Sequence, residues 1–137
     1  MSEPDGRGIL DTSVVIALTD LQGAALLPPL PLLTTVTLAE LSVGPLVAGS
    51  DAVRSKRQEN LQLAEGNFEP LPLDVAAARA FGHVSACLRR AGRKAHTRSF
   101  DAMIAAIAIA NGLPLYTCNP RDFEGIDELE VVAVPQP

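Results

Sequence analysis

The sequence predicts a three-layer α/β/α sandwich around a small central, mostly parallel sheet, and three observations carry that expectation. Short apolar runs bounded by turn residues alternate with longer helical patterns along the 137 residues. The length suits one domain with one core, so residues 1–137 are read as a unit, with 1–7 as a polar N-terminal tail. The apolar share of 47% is rich in Ala, Leu and Val and contains no Trp, which favours tightly packed helices on a small sheet.

Gly8-Ile9-Leu10 is an apolar strand that delivers Asp11 into a turn, and Thr12 and Ser13 then open a helix to Leu18. An Asp at such a position serves by default as an N-cap, worth about 1 kcal/mol. Prolines 28, 29 and 31 forbid a long helix after Gly23. Leu32 to Val36 reads as strand two. Thr37-Leu38-Ala39-Glu40 fits a capping box, in which Thr37 caps and Glu40 reaches back to the Thr37 backbone. Gly44-Pro45 is expected to interrupt that helix. Asp51 to Glu65 is a charged amphipathic helix closed by Gly66.

Glu69 to Leu73 is a proline-containing edge segment, after which Asp74 caps an Ala-rich helix to about Arg90. His83 on that helix has no acid or second histidine at ligand spacing, which assigns it a core or surface role. Arg89 to Arg98 carries five of the eleven basic residues, a composition that suits a helix C-terminus. Ser99-Phe100-Asp101 opens the most apolar helix, which ends at Asn111-Gly112 and must lie against the sheet. Pro114 to Thr117 and Leu129 to Val134 are the last strands, joined by the polar loop Cys118 to Phe123.

Composition excludes several classes. A net charge of −5 and an aromatic share of 4% argue against a protein that coats nucleic acid or stacks bases in number. The polar N-terminus lacks the pattern of a signal peptide, and the longest apolar run, Ala102 to Ala110, is far below the roughly 20 residues needed to span a bilayer. The expectation is a cytoplasmic protein with no membrane association. Cys87 and Cys118 lack metal-ligand spacing and read as free thiols. A receiver-type phospho-switch needs a lysine after a late strand, and none follows Lys94. Ser13 occupies the second acidic position of an Asp-x-Asp phosphatase, and Gly6-Arg-Gly8 precedes its strand rather than following it.

Sheet topology then concentrates the acids. Asp11 follows strand one, Glu40 begins the helix after strand two, Asn119 and Asp122 follow a later strand, and Asp101 heads the buried helix just before it. Ligands of parallel sheets gather at the carboxyl ends of the strands. Converging oxygen donors there suit a hard divalent cation.

The segments Leu10-Asp11-Thr12-Ser13, Thr37-Leu38-Ala39-Glu40-Leu41, Phe100-Asp101-Ala102 and Leu115-Tyr-Thr117-Cys-Asn119-Pro-Arg-Asp122-Phe123 together resemble the successive motifs of the PIN domain. They resemble in particular the VapC-type ribonuclease toxins of bacterial toxin-antitoxin pairs. The resemblance implies a Mg²⁺- or Mn²⁺-dependent endoribonuclease in which Asp11, Glu40 and Asp101 match the acidic triad and hold the metal. Asn119 stands where many relatives carry Asp, which leaves Asp122 as the nearby acid. Thr12, Ser13 and Thr117 match hydroxyl positions that orient carboxylates or water. Arg93, Lys94 and Arg98 lie just upstream of Asp101 and are candidates for RNA phosphate contacts. The implied partners are an RNA substrate, a small cognate antitoxin and a second copy of the chain. The apolar stretches around Leu26 to Leu30 and Leu41 to Val47 give independent reason to expect a covering partner. The alternative is a PIN scaffold that binds metal or protein without turnover.

Overall fold

The computed structural model describes residues 6–18, 27–93 and 99–136. Its elements run β1 (Arg7–Leu10), α1 (Thr12–Ala17), β2 (Leu30–Leu32), α2 (Thr35–Leu46), α3 (Asp51–Asn67), α4 (Val75–Arg90), α5 (Ser99–Asn111), β3 (Leu115–Thr117), a 3-10 turn (Pro120–Phe123) and β4 (Val131–Ala133). The strands form one parallel sheet in the order β2-β1-β3-β4.

Strand alternation sets the three layers. Ile9 and Leu115 point into one core with Val84 and Leu88 of α4 and Ile104 and Ile107 of α5. Leu10 and Tyr116 point into the other with Val14 and Val15 of α1, Leu41 of α2 and Ala64 of α3. The α/β/α sandwich expected from the sequence is therefore present. Helix α5 is the most buried of the helices described, and its small alanines let it lie close against α4 while Ile104 and Ile107 share a core with Ile9 and Leu115. Truncating either isoleucine to Ala would cost about 2–5 kcal/mol. At Gly8 a Cβ would meet the Tyr116 ring at 2.5 Å and Pro28 at 2.9 Å, so only glycine lets β1 pass between them.

Several boundaries differ from the sequence reading. Strand β2 lies at Leu30–Leu32, earlier than the expected Leu32 to Val36, and it includes Pro31. An edge strand tolerates a proline because its outward N–H has no ladder partner to lose. The chain leaves the sheet at Thr34, which bridges Leu71 of the expected edge segment. Helix α2 then starts at Thr35 with Thr34 as its cap, the Thr34 side chain accepting from the Thr37 N–H at 3.1 Å. Thr37 is thus inside the helix and fully buried, and the capping box at Thr37 and Glu40 does not form. Pro45 does not interrupt α2, which continues to Leu46, because a proline in the last turn costs one hydrogen bond shortly before the helix ends anyway. Helix α3 likewise runs through Gly66 to Asn67. Asp74 caps α4 as expected, accepting from the Ala77 N–H at 3.0 Å. The segment expected to break helix structure after Gly23, up to Leu26, and the basic residues Lys94 to Arg98 lie outside the described residues.

Candidate active site

Among the described residues, the buried polar side chains are Asp11, Thr34, Thr37 and Thr117, and all four belong to the edge where the strands end. Their positions follow from local structure. Leu10 closes β1, the Asp11 N–H extends the ladder to the Tyr116 carbonyl at 2.8 Å, and the next residue opens α1. Asp11 is consequently held between two strands and a helix start, only 5% exposed.

Its carboxylate accepts three hydrogen bonds. Oδ1 accepts from the Thr12 N–H at 2.8 Å, which is the expected cap. Oδ2 accepts from the Ser13 hydroxyl at 2.9 Å and from the Thr117 hydroxyl at 2.8 Å, and neither bond belongs to helix capping. The Thr117 hydroxyl oxygen also accepts from the Asn119 N–H at 3.0 Å, and Ser13 accepts from the Cys118 N–H at 3.1 Å. The loop after β3 is in this way tied to the carboxylate of β1.

Glu40 joins the same network. Released from the capping box, it accepts from the Thr12 hydroxyl at 2.6 Å, and that hydroxyl lies 2.9 Å from the buried Thr37 hydroxyl. Burial raises the Glu40 pKa, the Thr12 hydrogen bond lowers it in part, and the Asp11 charge raises it again. Two carboxylates under mutual repulsion, one of them half-buried, form an oxygen set that a cation would relieve. The Cys118 thiol is also raised, by desolvation first, against a lowering hydrogen bond to Ser13 and with a further rise from Asp11. It remains a neutral thiol beside an oxygen site. The donor chemistry fits a hard ion such as Mg²⁺ or Mn²⁺.

The other expected residues come from adjoining elements. Asp101 lies half-buried in the first turn of α5, which packs against α2 and against the 3-10 turn. Asp122 is half-buried in that turn, its N–H donating to the Asn119 carbonyl at 3.0 Å. Asn119 itself is engaged by the chain end, its Oδ1 accepting from Gln136 at 3.2 Å. Arg93 donates to the Arg121 carbonyl at 2.6 Å and lies 3.8 Å from Glu124, so it braces the 3-10 turn. Lys94 and Arg98 fall outside the described residues.

Two features were missed in the sequence. Thr37 was read as a cap, yet it is the buried hydroxyl that backs Thr12, and only the run Thr34-Thr35-Val36-Thr37 hinted at an earlier cap. A cavity of about 580 Å³ also opens beside Thr12 and Glu40, walled by Ile16, Leu41, Val43 and Val53 and rimmed by Lys56 and Arg57. Its apolar wall comes from α1, α2 and α3, distant in sequence and unreadable as one surface.

Residues 9–129 match the PIN domain family. Ribonuclease VapC5 of Mycobacterium tuberculosis is 37% identical over 98% of this chain and 100% of its own. The tRNA(fMet)-specific endonuclease VapC of Shigella flexneri is 38% identical over 71% of this chain and 70% of its own. The crystal structure of VapBC-5 from Mycobacterium tuberculosis, a member of the VapBC family of toxin-antitoxin systems, superimposes with a TM-score of 0.81 at 36% identity, covering 94% of this chain and 99% of that one. The chain belongs to the PIN-domain family and, within it, to the VapC-type ribonuclease toxins of toxin-antitoxin systems. Among the described residues no helix is long and apolar enough to cross a membrane.

Proposed function

We propose that the chain cleaves RNA phosphodiester bonds in the presence of Mg²⁺ or Mn²⁺, at a site where Asp11, Glu40 and Asp101 hold the cation. The observation that carries this reading is the Thr12 bridge. Its backbone N–H fixes Asp11 and its hydroxyl fixes Glu40, so two acids from β1 and α2 share one frame instead of serving separate helix caps. When bound, the cation lowers the pKa of an attacking water and offsets charge on the leaving oxygen.

The remaining roles belong to this chain's own groups. Ser13 and Thr117 hold the Asp11 carboxylate in one orientation through two hydroxyl donors. Thr37 keeps the Thr12 hydroxyl aimed at Glu40. Asp101 supplies the third carboxylate, and Asp122 stands as the nearest acid past Asn119. Lys94 and Arg98 contact RNA phosphate, and Arg93 supports them by bracing the 3-10 turn.

The partner is a small antitoxin. Its apolar segment fills the cavity between α1, α2 and α3, and a basic side chain approaches Glu40, blocking cation and phosphate together. The chain also pairs with a second copy. RNA cleavage by the purified protein, with and without chelator, tests the reading: cleavage restored by Mg²⁺ or Mn²⁺ supports it, and undiminished cleavage in excess EDTA refutes it. A protein that binds the antitoxin yet never cleaves RNA, whatever ion is supplied, would be the scaffold without turnover.

A further inference from the structure

Away from the acids, α4 and the turn before β4 bring together a second group of metal-binding side chains. His83 and Cys87 are one helical turn apart on α4, with Nε2 and Sγ separated by 3.6 Å. The Asp127 carboxylate completes a trio whose donor atoms all lie within 4.8 Å of one another. Glu128 stands next to them, its Oε2 3.3 Å from His83 Nε2 but not within 4.8 Å of the whole trio. Glu128 is also, among the described residues, the non-glycine residue with positive φ, 71°, a conformation that a side chain of its kind seldom adopts.

We infer that His83, Cys87, Asp127 and Glu128 form a binding site for a zinc-class divalent cation. Tetrahedral zinc with ordinary bonds to nitrogen, sulfur and oxygen sets its donors roughly 3.3–3.6 Å apart. The two measured separations, 3.6 Å for His83 to Cys87 and 3.3 Å for His83 to Glu128, are already of that size. Asp127 and Glu128 close on the ion by rotation of exposed side chains. The sulfur is buried and the imidazole and carboxylates face solvent, which gives a protected ligand and an open path of entry.

Arg90 occupies this position as the structure stands. Its guanidinium lies 3.3 Å from the Cys87 sulfur and 3.7 Å from Asp127, a cation drawn into the same donors. The side chain is 63% exposed and can swing away. A metal and Arg90 therefore compete. Thiolate and imidazole also discriminate against Mg²⁺, so this site and the carboxylate site select different ions. Asp127 and Glu128 lead into β4 whereas Asp11 follows β1, so in a parallel sheet the two sites lie at opposite edges. A bound ion would pin α4 to the turn ahead of β4.

Co²⁺ titration of the purified, chelator-treated full chain is the test, since cobalt reports coordination by its spectrum. The expected result is one four-coordinate Co²⁺ per chain, reported by intense visible bands and a near-ultraviolet thiolate charge-transfer band that are both lost on adding Zn²⁺, whereas Co²⁺ among the carboxylates gives no charge-transfer band. Cys118→Ser should keep the charge-transfer band, and Cys87→Ser should lose it. Because Cys87 is buried and its variant can fail to fold, His83→Ala and Asp127→Asn serve beside it and should weaken binding with the fold intact. Arg90→Ala should tighten it, by up to about fivefold if the competing contact is worth an exposed ion pair. Absence of the charge-transfer band in the unaltered chain, its survival in Cys87→Ser or its loss in Cys118→Ser would overturn the proposal. RNA cleavage plays no part in the readout, so the result stands apart from that of the nuclease test.

Discussion

The two ends of the sheet hold their polar side chains by different means. At the carboxyl edge, Asp11 is locked by a backbone N–H and two hydroxyls, and the same threonine that supplies the N–H also holds Glu40. At the opposite edge, Cys87 is buried, but its neighbours Arg90, Asp127 and Glu128 are largely exposed and joined by loose ion pairs. A reaction site needs its groups fixed before substrate arrives, and buried hydroxyls provide that at little entropic cost. A site that only captures an ion can be assembled by the ion itself. The denser hydrogen bonding of the first edge suits the chemistry proposed there, and the looser pairing of the second suits the ion binding proposed there.

The largest effect that would break this comparison is loss of the cation. EDTA should abolish RNA cleavage and Mg²⁺ or Mn²⁺ should restore it, while His83→Ala leaves cleavage and its chelator sensitivity unchanged. If His83→Ala instead removed cleavage with the fold intact, the two edges would not be independent.

Next in size is Asp101→Asn. An isosteric amide keeps the first-turn geometry of α5 and loses the charge, so cleavage should fall at least about 10²-fold. Stability should change by no more than about 1 kcal/mol, the ordinary scale of a charge at a helix N-terminus. Thermal melting beside a cleavage assay separates the two, and an active variant would return Asp101 to a purely structural role.

Glu40→Gln sharpens the same edge through its sign. The folded pKa of Glu40 is raised, by burial first, so the folded state holds its proton more tightly than the unfolded state. The metal-free protein should then lose stability as pH rises from the usual carboxyl range through the raised pKa. Gln keeps an acceptor for Thr12 and removes the charge. The variant should therefore melt higher than the parent at neutral pH without metal, lose that pH slope, and lose cleavage. A lower melting temperature at neutral pH would mean that ionised Glu40 stabilises the fold.

How much of this was legible follows from whether the signal was local. Asp74 caps α4 where the sequence indicated, because that start is encoded within four residues and no competing cap lies nearby. Thr37 was misread because two threonines three residues apart both suit a cap, and the choice is made by Leu71 pairing with Thr34 across 37 residues of chain. Asp11 and Glu40 share one hydrogen-bonded frame because parallel topology brings strand ends together, whatever the loops between them do. The cluster around His83 was missed for the opposite reason. Its His83 and Cys87 pair was visible at helical spacing, but the carboxylates arrive from a turn some 40 residues later, set by how α4 lies beside the entry to β4.

Smaller again is the contribution of the basic segment. Arg93 already serves the Arg121 carbonyl and Glu124, so the proposed phosphate contacts are assigned to Lys94 and Arg98. Replacing both with Ala should weaken RNA binding and reduce the slope of log affinity against log salt by about 0.7 per lost contact on a single strand. Arg93→Ala should instead loosen the 3-10 turn with little change in slope. Filter binding over a salt series distinguishes them, and an equal loss of slope in Arg93→Ala would make it a phosphate ligand after all.

The smallest expected effect lies on the apolar wall near Glu40. Leu46 is 85% exposed and Val47 66%, at the end of the helix whose Leu41 and Val43 line the cavity. Side chains this open contribute little to the isolated fold, so Leu46→Ser should shift stability by no more than about 0.5 kcal/mol. A partner covering the cavity would gain from them only at its margin, where most positions are worth under about 1 kcal/mol. Leu46→Ser should therefore leave cleavage and melting unchanged and weaken the antitoxin complex by about fivefold or less. Val43→Ser, which cuts into the cavity wall itself, should weaken it more. Calorimetric titration of both variants with the co-expressed antitoxin gives the ranking. If Leu46→Ser loses as much affinity as Val43→Ser, the interface centres on the end of α2, and the basic side chain assigned to Glu40 must come from another part of the partner.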